Sequence, residues 1–502
     1  RWIIQPQGGY AVGPSHANPY TGEIYDADIR ISVDFIRYFF QEFQDMISPQ
    51  SQLNYIPDDT RFDNHLTDAF GQQISFAASF LRGKNLLSSE ESREEFVEQG
   101  IISLVVHEVG HTLGLRHNFK ASTCYSLKQL QDADFTLENG ICSSVMDYPA
   151  VNLSLSGDDQ GDYFQIKPGP WDYWMIEYGY AHFKEEKEDK MLEKIARKCT
   201  DPLLDYATDE DTFGFSTRGM DPHSNIFDLG SDPIEFHEYR LQLAQEIWKN
   251  ITDNFEKPGK SYKVLLPVFN QALGEYRLAA NNISKYIGGL YTHRDHIGDP
   301  SARPPFEPVL RAEQEKALDF LINNILSERS FQFSPELLNK LVYEKMDTFS
   351  YNIWSRERID YPVHQQIKYI QEIVFSHLYD PLVLQRLQDN ELRMSDQNES
   401  FGLGDLFPRI RQAVWDDHQD VNQNSSLRRQ LHDLHLTYLT DIALQKNKAI
   451  PREATALARY DLLEIRKICE KSLEESDSPV QKAHLLDIIN RIETCLNPII
   501  QL

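Results

Sequence analysis

The 502-residue chain is poor in cysteine: five residues in so long a sequence neither build a disulfide scaffold nor show the paired spacing of a cysteine-based zinc site. Cys124 and Cys142 are placed to bridge a loop, the alternative being that all five are free, buried thiols. No apolar run approaches the roughly 18 residues of a membrane helix, so no membrane span is expected. Basic side chains are in deficit, 50 against 77 acidic ones, and the formal net charge of -27 would repel phosphate backbones and anionic lipid. Nucleic acid is therefore not an expected partner. No Gly-x-Ser-x-Gly elbow and no glycine-rich phosphate loop occurs, which leaves serine hydrolysis and nucleotide chemistry without support.

What is present suits a globular protein of more than one domain: 41% of residues are hydrophobic and 11% aromatic, enough to bury real cores. Arg1 stands where an initiator Met would, and the run after it reads as a strand in progress, so a processed or truncated chain is expected. Strand-like runs (Arg1 to Gln5, Tyr25 to Val33) alternate with turn signals such as Gly8-Gly9, Gly13-Pro14 and Asn18-Pro19. From Phe35 onward helical periodicity takes over, with one long pattern from Glu94 to about Leu115. Residues from Pro202 to Pro233 are rich in Asp, Gly, Pro and Ser and mark a boundary.

Beyond it, apolar residues recur at helical spacing, as in Leu318, Leu321, Ile322, Ile325 and Leu326, or Leu427, Leu431, Leu434 and Tyr438. Ser334-Pro335-Glu336 reads as a helix start, Asp477-Ser478-Pro479 breaks the last helical hairpin, and His296 to Pro308 reads as a surface loop. The expectation is an α+β domain over 1–200, an acidic turn-rich connector over 201–235 and a mainly α-helical region over 236–502.

The segment from His107 to His117 carries the chemistry. On a helix His107 and His111 lie four apart on one face, where both imidazoles reach a single ion. A catalytic zinc takes three protein ligands and keeps a fourth position open, and His117 is the nearest third donor. Gly114 explains how His117 reaches back: a glycine there can take a positive φ, end the helix and turn the chain under the metal. Glu108, beside His107, is placed to take a proton from a water polarised by the ion and return it to the leaving amine. A bare His-Glu-x-x-His is a weak signal whose alternative is a solvated helix face; Gly114 and His117 make coincidence improbable.

With Ser143-Ser144-Val145-Met146-Asp147-Tyr148 downstream, the pattern His-Glu-x-x-His-x-x-Gly-x-x-His resembles the metzincin zinc peptidases. The resemblance implies an α+β catalytic domain with a short mixed sheet, an active-site helix and a Met-turn, in which Met146 forms an apolar floor beneath the histidines. It also implies that Tyr148, as in astacins and serralysins, helps to stabilise the tetrahedral intermediate. Trp171 to Tyr180 resembles the helix that follows the Met-turn in serralysins. Gly13-Pro14-Ser15, Asp26-Ala27-Asp28-Ile29, Asn118-Phe119-Lys120, Asp228 to Pro233 and Tyr286-Ile287-Gly288-Gly289 are similar to large bacterial zinc-dependent metallopeptidases with helical C-terminal extensions.

By that resemblance Asp26 to Ser32 would be the edge strand along which an extended polypeptide substrate lies, part of the upper subdomain would be absent from the chain, and the location would be secreted or periplasmic. The implied activity is zinc-dependent endopeptidase, with a zinc exopeptidase or amidase, or a noncatalytic zinc-containing scaffold, as alternatives. Asp209, Glu210, Asp211, Asp221, Asp228 and Asp232 offer oxygen donors suited to calcium, without EF-hand spacing; a solvated connector is the competing reading. His16, His65 and His296 lie outside any ligand spacing and receive no role.

Overall fold

The computed structural model describes residues 2–3, 11–32, 62–155, 160–213, 215–343, 358, 360–396, 399–415 and 425–497. Residues 35–61, the start of the run expected to turn helical from Phe35, therefore lie outside the described residues. Five short strands open the chain: β1 (Trp2–Ile3), β2 (Ala11–Val12), β3 (Ser15–Ala17), β4 (Ile24–Ala27) and β5 (Arg30–Ser32). β5 lies between β1, to which it is parallel, and β2, to which it is antiparallel, while β3 and β4 form a separate hairpin.

The edge strand expected over Asp26 to Ser32 is thus split in two, and its second half is an interior strand. The Asp28 N–H bonds the Pro14 carbonyl at 3.1 Å and the β3–β4 register shifts at His16/Ala17, so the chain leaves one sheet before entering the other. Among the described residues β2 has β5 as its one strand neighbour and lies against the zinc-motif helix.

The long helices follow: α1 (Phe62–Gly83), α2 (Glu90–Thr112), α3 (Pro170–Tyr180), α4 (Pro233–Phe255) and α5 (Leu265–Ser284). A short hairpin, β6 (Leu290–Thr292) with β7 (Phe306–Pro308), precedes α6 (Arg311–Asn324), α7 (Val363–Leu378), α8 (Pro381–Arg393), α9 (Leu403–Trp415), α10 (Ser426–Ala443), α11 (Arg452–Glu475) and α12 (Pro479–Leu496). Ser89 caps α2 by accepting from the Ser92 N–H, and Glu90 and Glu91 favour the positive end of its dipole.

One apolar core runs from Ile74 and Phe80 on α1, through Phe96 on α2 and Leu241 on α4, to Phe269 and Tyr276 on α5 and on to Ile492 on α12. A charged group sits inside it. Arg240 on α4 donates to Glu275 on α5 at 2.8 Å and to Gln73 on α1 at 2.8 Å, so three helices share one satisfied polar contact.

The stretch 201–235 is not a solvated tether. Thr208, Thr212, Asp221, Ser224, Asn225, Asp228 and Leu229 are buried. Its buried carboxylates, Asp221 and Asp228, are held by Lys120 and Ser122, which is how so polar a segment can be covered. The loop between β6 and β7, expected only as a surface loop, turns back against the zinc-motif half: the Lys120 ammonium donates to the Thr292 carbonyl at 2.5 Å, and Arg303 bonds Asp205 at 2.6 Å. Cys124 and Cys142 do not bridge; all five cysteines are free.

Candidate metal centre

His107 and His111 occupy the last two turns of α2. That helix ends in a Schellman turn: the Leu115 N–H reaches the Gly110 carbonyl at 3.0 Å and the Gly114 N–H reaches the His111 carbonyl at 2.9 Å, with Gly114 at φ +89°. The turn brings His117 back under the helix. Ring centroids lie 4.7 Å apart for His107 and His111, 4.9 Å for His111 and His117, and 5.4 Å for His107 and His117. Ligand-capable atoms of all three fall within 4.8 Å of one another.

Each Nδ1 is committed to an oxygen. His107 Nδ1 lies 2.7 Å from the Val145 carbonyl, His111 Nδ1 3.0 Å from the Leu115 carbonyl and His117 Nδ1 3.0 Å from the Asp209 carboxylate. A donating Nδ1–H fixes the tautomer in which Nε2 carries the lone pair a metal uses. His107 Nε2 is buried and finds no hydrogen-bond partner among the described residues. Burial, reinforced by its neighbours His111 and His117, holds the His107 ring well below the usual imidazole range, and burial lowers His111 as well. Imidazoles whose Nδ1 is engaged and whose Nε2 is left to face a common point, unpartnered at His107, are the donor type that zinc accepts, so the residues fit the ion that the sequence implied.

Glu108 is 4% exposed, and its Oε2 is buried without a hydrogen-bond partner among the described residues. Burial alone pushes its carboxyl up to about 7, before any metal charge is counted. The chain just after β2 closes over it: a Cβ on Gly13 would overlap the Glu108 carbonyl oxygen and lie 3.2 Å from its Oε2. Gly13 entered the sequence reading only as a mark of resemblance, because nothing local shows that a backbone 95 positions away must pass so near.

Met146 is fully buried, and a Cβ on Gly110 would overlap its sulfur, which puts the thioether directly against the helix that carries the histidines. Leu115, Val145, Trp171 and Leu204 complete the floor. The Met-turn is fixed by two carboxylates. Asp172 on α3 accepts from Ser144 Oγ at 2.7 Å, from the Val145 N–H at 2.9 Å and from the Gly169 N–H at 2.8 Å, and Asp147 accepts from the backbone N–H groups of Ser122 and Tyr148, both at 2.7 Å. Asp172 lies in the stretch that resembles the helix after the Met-turn, and its hold on the turn is a contact that resemblance does not state.

The Tyr148 ring stacks on His107 at 5.0 Å, and its hydroxyl stands 2.9 Å from His117 Nε2. All the expected site residues, His107, Glu108, His111, His117, Met146 and Tyr148, therefore meet at one place, with Gly114 forming the turn between the second and third histidines.

Asp209 was grouped with the acidic connector and belongs to this site instead. It opens a one-turn helix (Asp209–Thr212) and holds His117 Nδ1. Burial alone would raise its carboxyl, yet the hydrogen bond and charge of His117 keep it below the usual range. Calcium finds no converging donors in that group: Glu210 pairs with Arg116 at 3.0 Å, Asp211 with Arg294 at 2.8 Å and Asp221 with Lys120 at 2.7 Å, while Asp228 accepts from Ser122 and Asp232 caps α4 and meets Lys316. The side chains point to separate partners, so the expectation of a calcium site is withdrawn.

A family model described as Met-zincin matches residues 89–422, from the cap of α2 to beyond α9, more than half of the chain. No curated protein and no solved structure matches it.

Proposed function

We propose that this chain, which belongs to the Met-zincin family, is a zinc-dependent metalloendopeptidase that uses Glu108 as its general base. The observation that carries the reading is the pairing of a three-histidine cluster with a buried carboxylate whose Oε2 has no hydrogen-bond partner among the described residues. A structural zinc site has no need of such a base.

His107, His111 and His117 would hold the ion, which when bound supplies Lewis-acid polarisation of a carbonyl and a lowered pKa for water. The Glu108 carboxylate accepts the proton of the attacking water and returns it to the amine as the peptide bond breaks. Its burial keeps bulk water from competing for that proton. The Tyr148 hydroxyl, beside His117 Nε2, donates to the oxygen that gains negative charge in the tetrahedral state. Asp209 orients His117, and the Val145 and Leu115 carbonyls orient the other two rings. We place the polypeptide substrate along β2, whose end passes over Glu108, rather than along Asp26 to Ser32.

The test is cleavage of a peptide library by the purified chain with and without a chelator, followed by restoration with zinc. Cuts at internal bonds that vanish on chelation and return with zinc support the reading. Removal of terminal residues alone would point to an exopeptidase, and zinc retention without any cleavage would point to a scaffold.

A further inference from the structure

A second set of metal-ligating side chains lies outside the histidine site. Cys199 sits in the 3-10 turn Arg197–Thr200, while His296 and Asp299 belong to the loop between β6 and β7. One ligand-capable atom from each lies within 4.8 Å of the other two. Cys199 Sγ is 3.4 Å from Asp299 Oδ2, and His296 Nδ1 is 3.6 Å from the same oxygen, while Oδ1 faces Arg197 Nε at 3.7 Å. A turn at Gly298 (φ +90°), closed by the Asp299 N–H on the His296 carbonyl at 3.0 Å and by the His296 N–H on Asp299 Oδ2 at 2.9 Å, holds imidazole and carboxylate side by side. The thiol arrives from a segment about a hundred positions earlier.

We propose that Cys199, His296 and Asp299, with a water as the fourth ligand, form a second metal site that takes zinc and ties the β6–β7 loop to the zinc-binding half. The donor chemistry sets the class of ion: a thiolate with an imidazole suits zinc or cobalt, whereas calcium and magnesium require oxygen. On binding, the Cys199 thiol proton passes to water as the sulfur–metal bond forms, and nothing is oxidised or reduced. Asp299 Oδ1 stays with Arg197, and His296, with its side chain 79% exposed, is free to close over the ion.

The position gives the ion a purpose. The same loop carries Arg294, which bonds Asp211 in the one-turn helix beginning at Asp209, and Arg303, which clamps Asp205 and Asp295. It also walls a cavity of about 410 Å³ behind Gly114 and Arg116, lined by Trp171, Trp174 and Tyr206. Arg294 and Arg303 fasten the two ends of the loop; the proposed ion fastens its tip, and so supports the helix that presents Asp209 to His117.

The inference stands apart from the hydrolytic reading, and cobalt separates the two. Titrated with cobalt(II), the metal-free chain should take up about two ions and develop a near-ultraviolet thiolate-to-cobalt band that an all-histidine site cannot give. Cys199→Ser should abolish the band and leave about one ion, whereas a doubly substituted His107→Ala, His111→Ala chain should keep the band with about one ion. His296→Ala, at an exposed position that disturbs no core, should lose the band when cobalt equals protein. Uptake of about one ion without the band in the unaltered chain, or a band that survives Cys199→Ser, would overturn the proposal. Failure of peptide cleavage would leave these spectra unchanged.

Discussion

Two buried glutamates divide the molecule by purpose. Glu275, 2% exposed on α5, is bound by Arg240 and Gln73 and joins three helices of the core. Glu108, 4% exposed on α2, has an oxygen with no partner among the described residues, and burial raises its carboxyl to about 7. A buried carboxylate that is satisfied is architecture; one with an unsatisfied oxygen beside three imidazoles is what the proposed general-base role requires. The difference lies in what packs around each residue, since both sit on regular helices.

The comparison can be broken from either side. The largest effect is expected at the ligands: His111→Ala should abolish zinc retention and hydrolysis together while the circular dichroism of the helical half persists, as metal analysis of the purified variant would show. Next comes Glu275→Ala, which strands the Arg240 guanidinium in the core and should cost about 3–5 kcal/mol of stability, read by denaturant unfolding. Zinc content in the fraction that remains folded should not change. An unaltered midpoint would mean that the Arg240 contact is not architectural.

Asp209→Asn should weaken zinc binding by about 10–100-fold with little change in stability, because the residue acts through His117 and not through the core. Competition with a zinc chelator measures this, and unchanged affinity would remove Asp209 from the site. The smallest effect belongs to Gly114→Ala. An alanine at φ +89° should cost about 1–2 kcal/mol, seen as a lowered Tm together with weaker zinc retention, since the same turn sets both the helix end and His117.

What could be read from the sequence shares one property: it is local. The spacing of His107, His111 and His117, the turn at Gly114 and the Met146 segment each span a few residues, and backbone geometry converts such spacing directly into position. α2 runs Glu90–Thr112 against a pattern read from Glu94 to about Leu115, and the late break before Pro479 falls where α12 begins.

Contacts made over long separations were not legible. Asp209 reaches His117 across 92 positions, Gly13 passes over Glu108, and Arg303 draws the β6–β7 loop onto Asp205. The acidic stretch misled for a physical reason. Asp, Ser and Thr look alike in composition whether water or protein satisfies them, and here Ser122, Lys120 and Arg294 take the place of water. The split of the strand between Asp26 and Ser32 likewise depends on a backbone bond to Pro14 that no side-chain pattern announces.

The central claim is tested most directly by Glu108→Gln, assayed at once for zinc content, Tm and peptide cleavage. The account predicts full zinc retention, a Tm that holds or rises because a buried carboxylate with an oxygen unpartnered among the described residues has been neutralised, and a fall in kcat/KM of roughly 10²–10⁴-fold. Cleavage at the unaltered rate by the zinc-loaded variant would contradict it.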